Sequence, residues 1–330
     1  MTTMISRRAL GIASLAIPSL AIPSLVTRPA RAAKVEEIRI DWATYNPVSL
    51  VLRDQKLLET EFAKDRIAIR WVQSAGSNKA LEFLNAGSLD FGSTAGAAAL
   101  IAKVNGNPLK TIYVFSRPEW TALVTQGGSS IKAVADLKGQ RIAVTRGTDP
   151  HIFLVRALAE AGLSEKDVKL VLLQHADGRT AMERGDVAAW AGLDPMMAAA
   201  EVESGARLFY RKPEANTWGV LNVREEFAAA NPALVLRVLA TYETARKWAV
   251  AHPAELGAAL EAAAKLPQPV IARQLQRTDI SSGQIGEKQA ATIIEAGKAL
   301  QSAGVLDGSL DMAAVTNGMI DPSFCRTIGA

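Results

Sequence analysis

Short apolar runs alternate with amphipathic stretches along most of the chain, and this alternation sets its class. Glu37 to Trp42 reads as a strand, Val48 to Phe62 as a helix, Ile67 to Val72 as a strand and Asn78 to Asn85 as a helix. Leu89 to Phe91 then leads, as a short strand, into an alanine-rich run from Ala95. That run carries no charge until Lys103 and reads as a buried helix. Thr111 to Phe115 is a further strand. A second series follows: strands at Ala122 to Thr125, Arg141 to Val144, Lys169 to Leu173 and Val187 to Ala191. Between them lie a helix from His151 to Ala161, ended by Gly162, and a short one from Thr180 to Arg184. Beyond Val223 the pattern is mainly helical through Ala303. The βαβα rhythm predicts α/β sheets with helices on their faces, and its recurrence predicts two lobes rather than a solenoid. The series also echo each other in detail. Asn46-Pro47 and Asp149-Pro150 each place a side-chain acceptor at an expected N-cap and proline at the first helical position.

Residues 1–32 are expected to be an export signal rather than part of the fold. Arg7-Arg8 precede an apolar run from Ala9 to Val26, and Ala30-Arg31-Ala32 forms an A-x-A cleavage site, so the mature chain is expected to start at Ala33. Pro18 and Pro23 interrupt the run, which argues against a retained anchor. Both twin-arginine and general secretory export fit this segment. Its removal changes the charge argument. Of 37 Lys+Arg, four (Arg7, Arg8, Arg28 and Arg31) are lost and no acid is, which leaves 33 basic against 33 acidic residues. No basic patch remains to argue for nucleic acid. Cys325 is the only cysteine, so no intramolecular disulfide can form.

In open α/β sheets, ligands settle beyond the carboxyl ends of the strands. Four loops stand at such places: Tyr45-Asn46-Pro47-Val48-Ser49, Ser74-Ala75-Gly76-Ser77-Asn78, Gly92-Ser93-Thr94 and Arg146-Gly147-Thr148-Asp149. Each offers small residues, hydroxyls or amides beside the unpaired N–H groups of a helix start, the makings of an anion site. Asn46, Ser49, Gly76, Ser77, Gly92, Ser93, Thr94, Gly147, Thr148 and Asp149 are therefore candidate ligand-binding residues, with Gly92-Ser93-Thr94 expected to cradle the anion. Trp190 and Asp194, which follow a strand, add an aromatic wall and a carboxylate that orients loops or ligand. The alternatives are a core tryptophan and a turn-forming Asp194-Pro195. No catalytic residue, metal site or cofactor is expected. His151, His175 and His252 show no metal-ligand spacing, and no nucleophile elbow, Walker loop or dinucleotide fingerprint occurs.

These residues sit in a longer resemblance. The segments Leu84-Asn85-Ala86-Gly87-Ser88-Leu89-Asp90-Phe91-Gly92-Ser93-Thr94 and Ala135-Asp136-Leu137-Lys138-Gly139-Gln140-Arg141-Ile142-Ala143-Val144 are its most specific parts. The helix Leu154 to Leu163 and Ala188-Ala189-Trp190 with Asp194-Pro195 also belong to it. On them the chain resembles the periplasmic substrate-binding proteins of ABC importers for aliphatic sulfonates, taurine and nitrate. The resemblance implies a two-lobed periplasmic-binding-protein fold of type II, with lobe 1 at 34–118 plus 222–330 and lobe 2 at 119–221. It implies a periplasmic monomer that captures a sulfonate-like organic anion by hinge closure and hands it to a membrane permease driven by a separate ATPase. Nitrate, an aromatic or heterocyclic ligand, or a desulfinase-like enzyme are the alternatives. By the same pattern Ser93 and Thr94 would hold the anionic head from lobe 1, Gly147 and Thr148 would meet it from lobe 2, and Trp190 would flank it. Leu193 and Met196 depart from the pattern, standing where such binders carry aromatics. Asp149 also departs from it, replacing a small hydroxyl residue. It is expected to cap its helix, with contact to a ligand amine as the alternative.

Overall fold

The structure is a computed structural model that describes residues 35–330; the expected export signal at 1–32 lies outside the described residues. Its strands are, in chain order, Glu37–Trp42 (β1), Ala68–Gln73 (β2), Phe91–Ala95 (β3), Leu109–Pro118 (β4), Leu123–Thr125 (β5), Arg141–Val144 (β6), Lys169–Leu172 (β7), Ala189–Ala191 (β8), Arg207–Tyr210 (β9), Gly219–Arg224 (β10) and Thr278–Asp279 (β11). They form two sheets, ordered β11-β4-β10-β3-β1-β2 and β7-β6-β8-β5-β9.

The echo seen in the sequence is present in these orders. In each sheet one strand, β1 or β6, lies between the next two strands of the chain and pairs parallel with both. As β4 also does, β10 in the first sheet and β5 in the second run antiparallel to both their neighbours. Strands β5 and β10 are those by which the chain enters one sheet from the other. Gly219 to Leu221 pair with β3 and β4, so the return crossing lies at 211–218, ahead of the boundary expected at 221. The two crossing segments run side by side: the Thr121 N–H donates to Asn216 Oδ1 at 2.9 Å.

The two sheets share one apolar core. Ile152, Val155 and Leu193 from the second half pack into the same buried cluster as Ile40, Phe91, Phe115 and Ile293 of the first. Val35–Ala330 is accordingly one compact unit. Two further clusters fill the faces of the second sheet, and alternation along β8 decides which residue meets which. Ala189 and Ala191 face one cluster and Trp190 the other.

Three helices depart from the expected bounds. The stretch 48–62 is two helices, Pro47–Asp54 and Leu57–Phe62, because Lys56 between them takes a left-handed backbone (φ 52°). The helix expected at Thr180 begins at His175, since Gly178 is tolerated inside it. A Cβ there would stand 2.7 Å from Trp190 Nε1, so glycine is what lets the indole pack. The third departure is at Asp149 and concerns the site. Among the described residues no helix is long and apolar enough to cross a membrane.

Candidate functional site

Three of the four loops singled out in the sequence, those that follow β1, β2 and β6, converge between the sheets. Tyr45, Ser77, Trp120, Thr148, Asp149, Pro150 and Leu193 line a crease there, closed down to ≈ 10 Å³ open to the centre of a water molecule. That is room for about one water. Asp149 is the only charged group among these lining residues.

Gly92-Ser93-Thr94 does not form the expected helix start. All three lie in β3, whose five residues are buried, and the alanine-rich helix begins at Gly96 (Gly96–Val104). Their hydrogen-bonding capacity is used inside the first half. The Ser93 N–H and hydroxyl both donate to Asp41 Oδ1, at 2.9 and 2.8 Å. Asn46 Nδ2 donates to Ser93 Oγ at 2.7 Å and to the Tyr242 hydroxyl at 2.5 Å. The Tyr45 hydroxyl donates to the Ser93 carbonyl at 3.0 Å. Thr94 Oγ1 accepts from Asn222 Nδ2 at 2.8 Å. The expected oxyanion position is therefore taken by Asp41, a fully buried carboxylate. Burial pushes its pKa up to about 6 against the pull of the Ser93 donors. Asn46 and Ser49 belong to this internal network too. Asn46 is the expected N-cap, its Oδ1 accepting from the Ser49 N–H at 3.3 Å, and the Ser49 hydroxyl donates to the Asn46 carbonyl at 2.6 Å.

The true start of the alanine-rich helix has its own partners. The Ala95 N–H donates to Ser77 Oγ at 3.0 Å, the Gly96 N–H to the Trp218 carbonyl at 2.9 Å, and the Ala97 N–H to Thr217 Oγ1 at 3.2 Å. The Thr217 hydroxyl itself donates a hydrogen bond to Asp149 Oδ1 at 2.6 Å. Asp149 Oδ2 accepts from the Thr217 N–H at 3.0 Å and from Trp120 Nε1 at 2.8 Å. Asp149 thus does not cap its helix. Thr148 is the N-cap residue, its hydroxyl donating to the Thr145 carbonyl at 2.6 Å, and Asp149 is the first residue of the helix Asp149–Glu160. Its carboxylate reaches both crossing segments and sits at the positive end of the alanine-rich helix, bridged by Thr217. Burial raises its pKa above the usual carboxylate value, and the three donors lower it again.

The other candidates separate. Gly76 is the N-cap residue of the helix Ser77–Asn85, and Gly147 turns with φ +77° towards Asn78. Trp190 is fully buried in the core of the second half and does not reach the crease, which corrects the aromatic-wall expectation. Met196 packs beside it, while Leu193 does line the crease. Asp194 orients a loop: Arg277 holds it in a bidentate pair at 2.6 and 2.7 Å, and the Ala198 N–H donates to it at 2.9 Å. Cys325 lies in the core of the first half, its thiol donating to the Ile112 carbonyl at 2.8 Å and pushed up to about 11 by burial. Sequence reasoning missed Asp41, Trp120 and Thr217. The last two stand on the crossing segments, where no helix start or glycine signal marks them.

The comparisons with known proteins agree with this architecture. A family model described as NMT1/THI5 like matches residues 62–256. A protein of Escherichia coli (strain K12) named as aliphatic sulfonates-binding is 32% identical over 248 residues, covering 74% of this chain and 77% of that protein. The alkanesulfonate-binding protein SsuA from Xanthomonas axonopodis pv. citri, solved bound to MOPS, is 27% identical with a TM-score of 0.79, over 88% of this chain and 99% of that one. The periplasmic aliphatic sulphonate binding protein SsuA from Escherichia coli is 29% identical with a TM-score of 0.72, over 84% and 90%. The sheet orders, the paired crossings and these matches lead to one conclusion: the chain has the periplasmic-binding-protein fold and belongs to the NMT1/THI5-like family, alongside the aliphatic sulfonate-binding proteins.

Proposed function

We propose that the chain is the solute-binding component of an ABC importer, a periplasmic monomer that takes a sulfonate-type organic anion into the crease between its two halves. One observation carries this reading: Trp120 Nε1, the Thr217 N–H and the Thr217 hydroxyl converge on a single carboxylate. That carboxylate belongs to the chain itself, and it lies in a closed crease lined by residues of both halves. Donors arranged this way suit any oxyanion. Asp149 holds them while no solute is present; an incoming sulfonate requires the halves to part, takes these donors, and is enclosed when they close again. The closed form is then the one a permease with its separate ATPase recognises.

Hydrogen bonds to a charged acceptor contribute roughly 1.5–3 kcal/mol each, so three suffice for micromolar affinity after the costs of association. A binding role also agrees with the position of Cys325, far along the chain and outside the crease lining. Calorimetric titration of ethanesulfonate into wild type and Asp149→Asn tests the exchange. Removing the resident charge should tighten binding by about tenfold or more, since like charges no longer meet. Unchanged or weaker binding by the variant would refute it.

A further inference from the structure

The Asp149 carboxylate sits where a negative charge is sustained only by its donors. It is 2% exposed, and its two oxygens accept from Trp120 Nε1, the Thr217 N–H and the Thr217 hydroxyl. Burial works against the ion, and these donors work for it. No countercharge stands by. The residues that line the crease with Asp149 are Tyr45, Ser77, Trp120, Thr148, Pro150 and Leu193, none of them cationic. Burial pushes the Tyr45 hydroxyl well above its usual range, so it is neutral, and it donates to the Ser93 carbonyl. Arg156, further along the same helix, is the charged group whose field reaches Asp149, but its guanidinium donates to the Ala215 carbonyl at 3.2 Å. His151, Glu119 and Arg211 on the flanking segments have partners of their own. His151 Nε2 lies 2.9 Å from Glu165 Oε1, and Arg211 holds Glu119 at 2.7 and 2.8 Å. The helix start at Ala95 to Ala97 carries no titratable side chain.

We propose that binding of the solute anion takes up one proton at Asp149, and that the resulting carboxylic acid donates its O–H to the anion it first excluded. The inference rests on the exchange of donors proposed above. An anion that takes the Trp120 and Thr217 donors strips all three from the carboxylate. It also places a second negative charge beside it in a space that closes with little water. Like charges so placed do not both stay ionised. A sulfonate is the anion of a strong acid and does not accept the proton, so Asp149 does. The proton comes from a hydronium ion or buffer acid while the halves are parted, forms the O–H bond on Asp149, and returns to water when the solute leaves. No other bond forms or breaks. The neutral acid has a donor where the carboxylate had none. Asp149 thereby acts twice. Ionised, it occupies the donors that an anion needs; protonated, it joins Trp120 and Thr217 as a further donor to that anion.

Titration calorimetry of ethanesulfonate in cationic buffers, which offer no competing oxyanion, reads the uptake. Ethanesulfonate stays an anion throughout, so any linked proton belongs to the protein. Wild type should bind more weakly as pH rises from about 5 to 8, by up to about tenfold per pH unit where a whole proton is taken up. At one pH within that range, the measured heat should differ between two buffers of unequal ionisation enthalpy. Asp149→Asn has a permanent N–H donor in place of the acid. Its affinity should stay within about twofold over the same range, with wild type approaching it at the acid end. The wild-type profile and the buffer pair need no variant, so the test stands if Asp149→Asn does not fold. Wild-type binding that ignores both pH and buffer would overturn the proton uptake and leave the sulfonate reading standing, the carboxylate then leaving the crease as an ion. The same slope in Asp149→Asn would place the proton on another group and overturn it too. Binding by neither protein at any pH would overturn the sulfonate reading as well.

Discussion

Thr217 holds the Asp149 carboxylate twice, through its N–H at 3.0 Å and its hydroxyl at 2.6 Å, while the same hydroxyl oxygen accepts the Ala97 N–H at 3.2 Å. One side chain thus ties a crossing segment to a helix start in each half. Thr217→Val keeps the shape and loses the hydroxyl, leaving a carboxylate oxygen and a backbone N–H short of a partner. It should cost about 2 kcal/mol of stability in urea denaturation, with Thr217→Ser restoring most of it. A valine variant as stable as wild type would show that the bridge contributes nothing.

Ser93 was the leading ligand residue by sequence and is a structural one by geometry. Ser93→Ala leaves the buried Asp41 carboxylate with one donor fewer and Asn46 Nδ2 without its Ser93 acceptor. It should lower stability by about 1–3 kcal/mol and change solute affinity little. Denaturation and titration on the same variant separate the two effects, and a large affinity loss at unchanged stability would restore the original reading.

Asp41 and His175 give stability opposite pH slopes. Asp41 titrates at about 6 in the fold, above the unfolded value near 4, so its contribution is present at low pH and is lost as pH rises through 6. His175 titrates at about 3, below its unfolded value near 6.5, so its contribution is present above 6.5 and is lost as pH falls. Between about pH 4 and 6 the two oppose each other. Asp41→Asn should therefore make the melting temperature fall more steeply on acidification than in wild type. His175→Gln should make it fall less, each change corresponding to roughly 1.4 kcal/mol of stability per pH unit. Variants that track wild type across this window would contradict the assignment.

Arg277 binds Asp194 through two hydrogen bonds and Glu201 through a third at 2.8 Å, and both Arg277 and Asp194 are largely buried. Arg277→Ala strands the Asp194 carboxylate and should cost about 3–5 kcal/mol. Adding Asp194→Ala should recover part of that loss, so a double-mutant cycle reads the coupling directly. Strict additivity would place the two residues outside a common network.

Much of this was written in local pattern. β1 and β6 have the bounds their alternation predicts, and Asn46-Pro47 starts its helix as its residue types require. The loops containing Ser77, Thr148 and Asp149 do come together. What stayed hidden depends on partners remote in sequence. Phe91-Gly92-Ser93-Thr94-Ala95 looks like a strand end and a cap. Only Asp41, 52 positions from Ser93, and Asn222, 128 from Thr94, show that the hydroxyls are spent within a strand. Asp149 likewise has the residue type of a cap, but its donors lie 29 and 68 positions away, on the crossings. Trp190 resembles a binding aromatic until the face of β8 on which it stands is known.

Titration calorimetry of ethanesulfonate and taurine against wild type and Thr217→Val tests the central claim most directly. Wild type should bind at least one of the two saturably, and the valine variant should bind that ligand about tenfold more weakly, having lost one of three donors to the anion. Failure of wild type to bind either sulfonate, or equal affinity in the variant, would contradict the account.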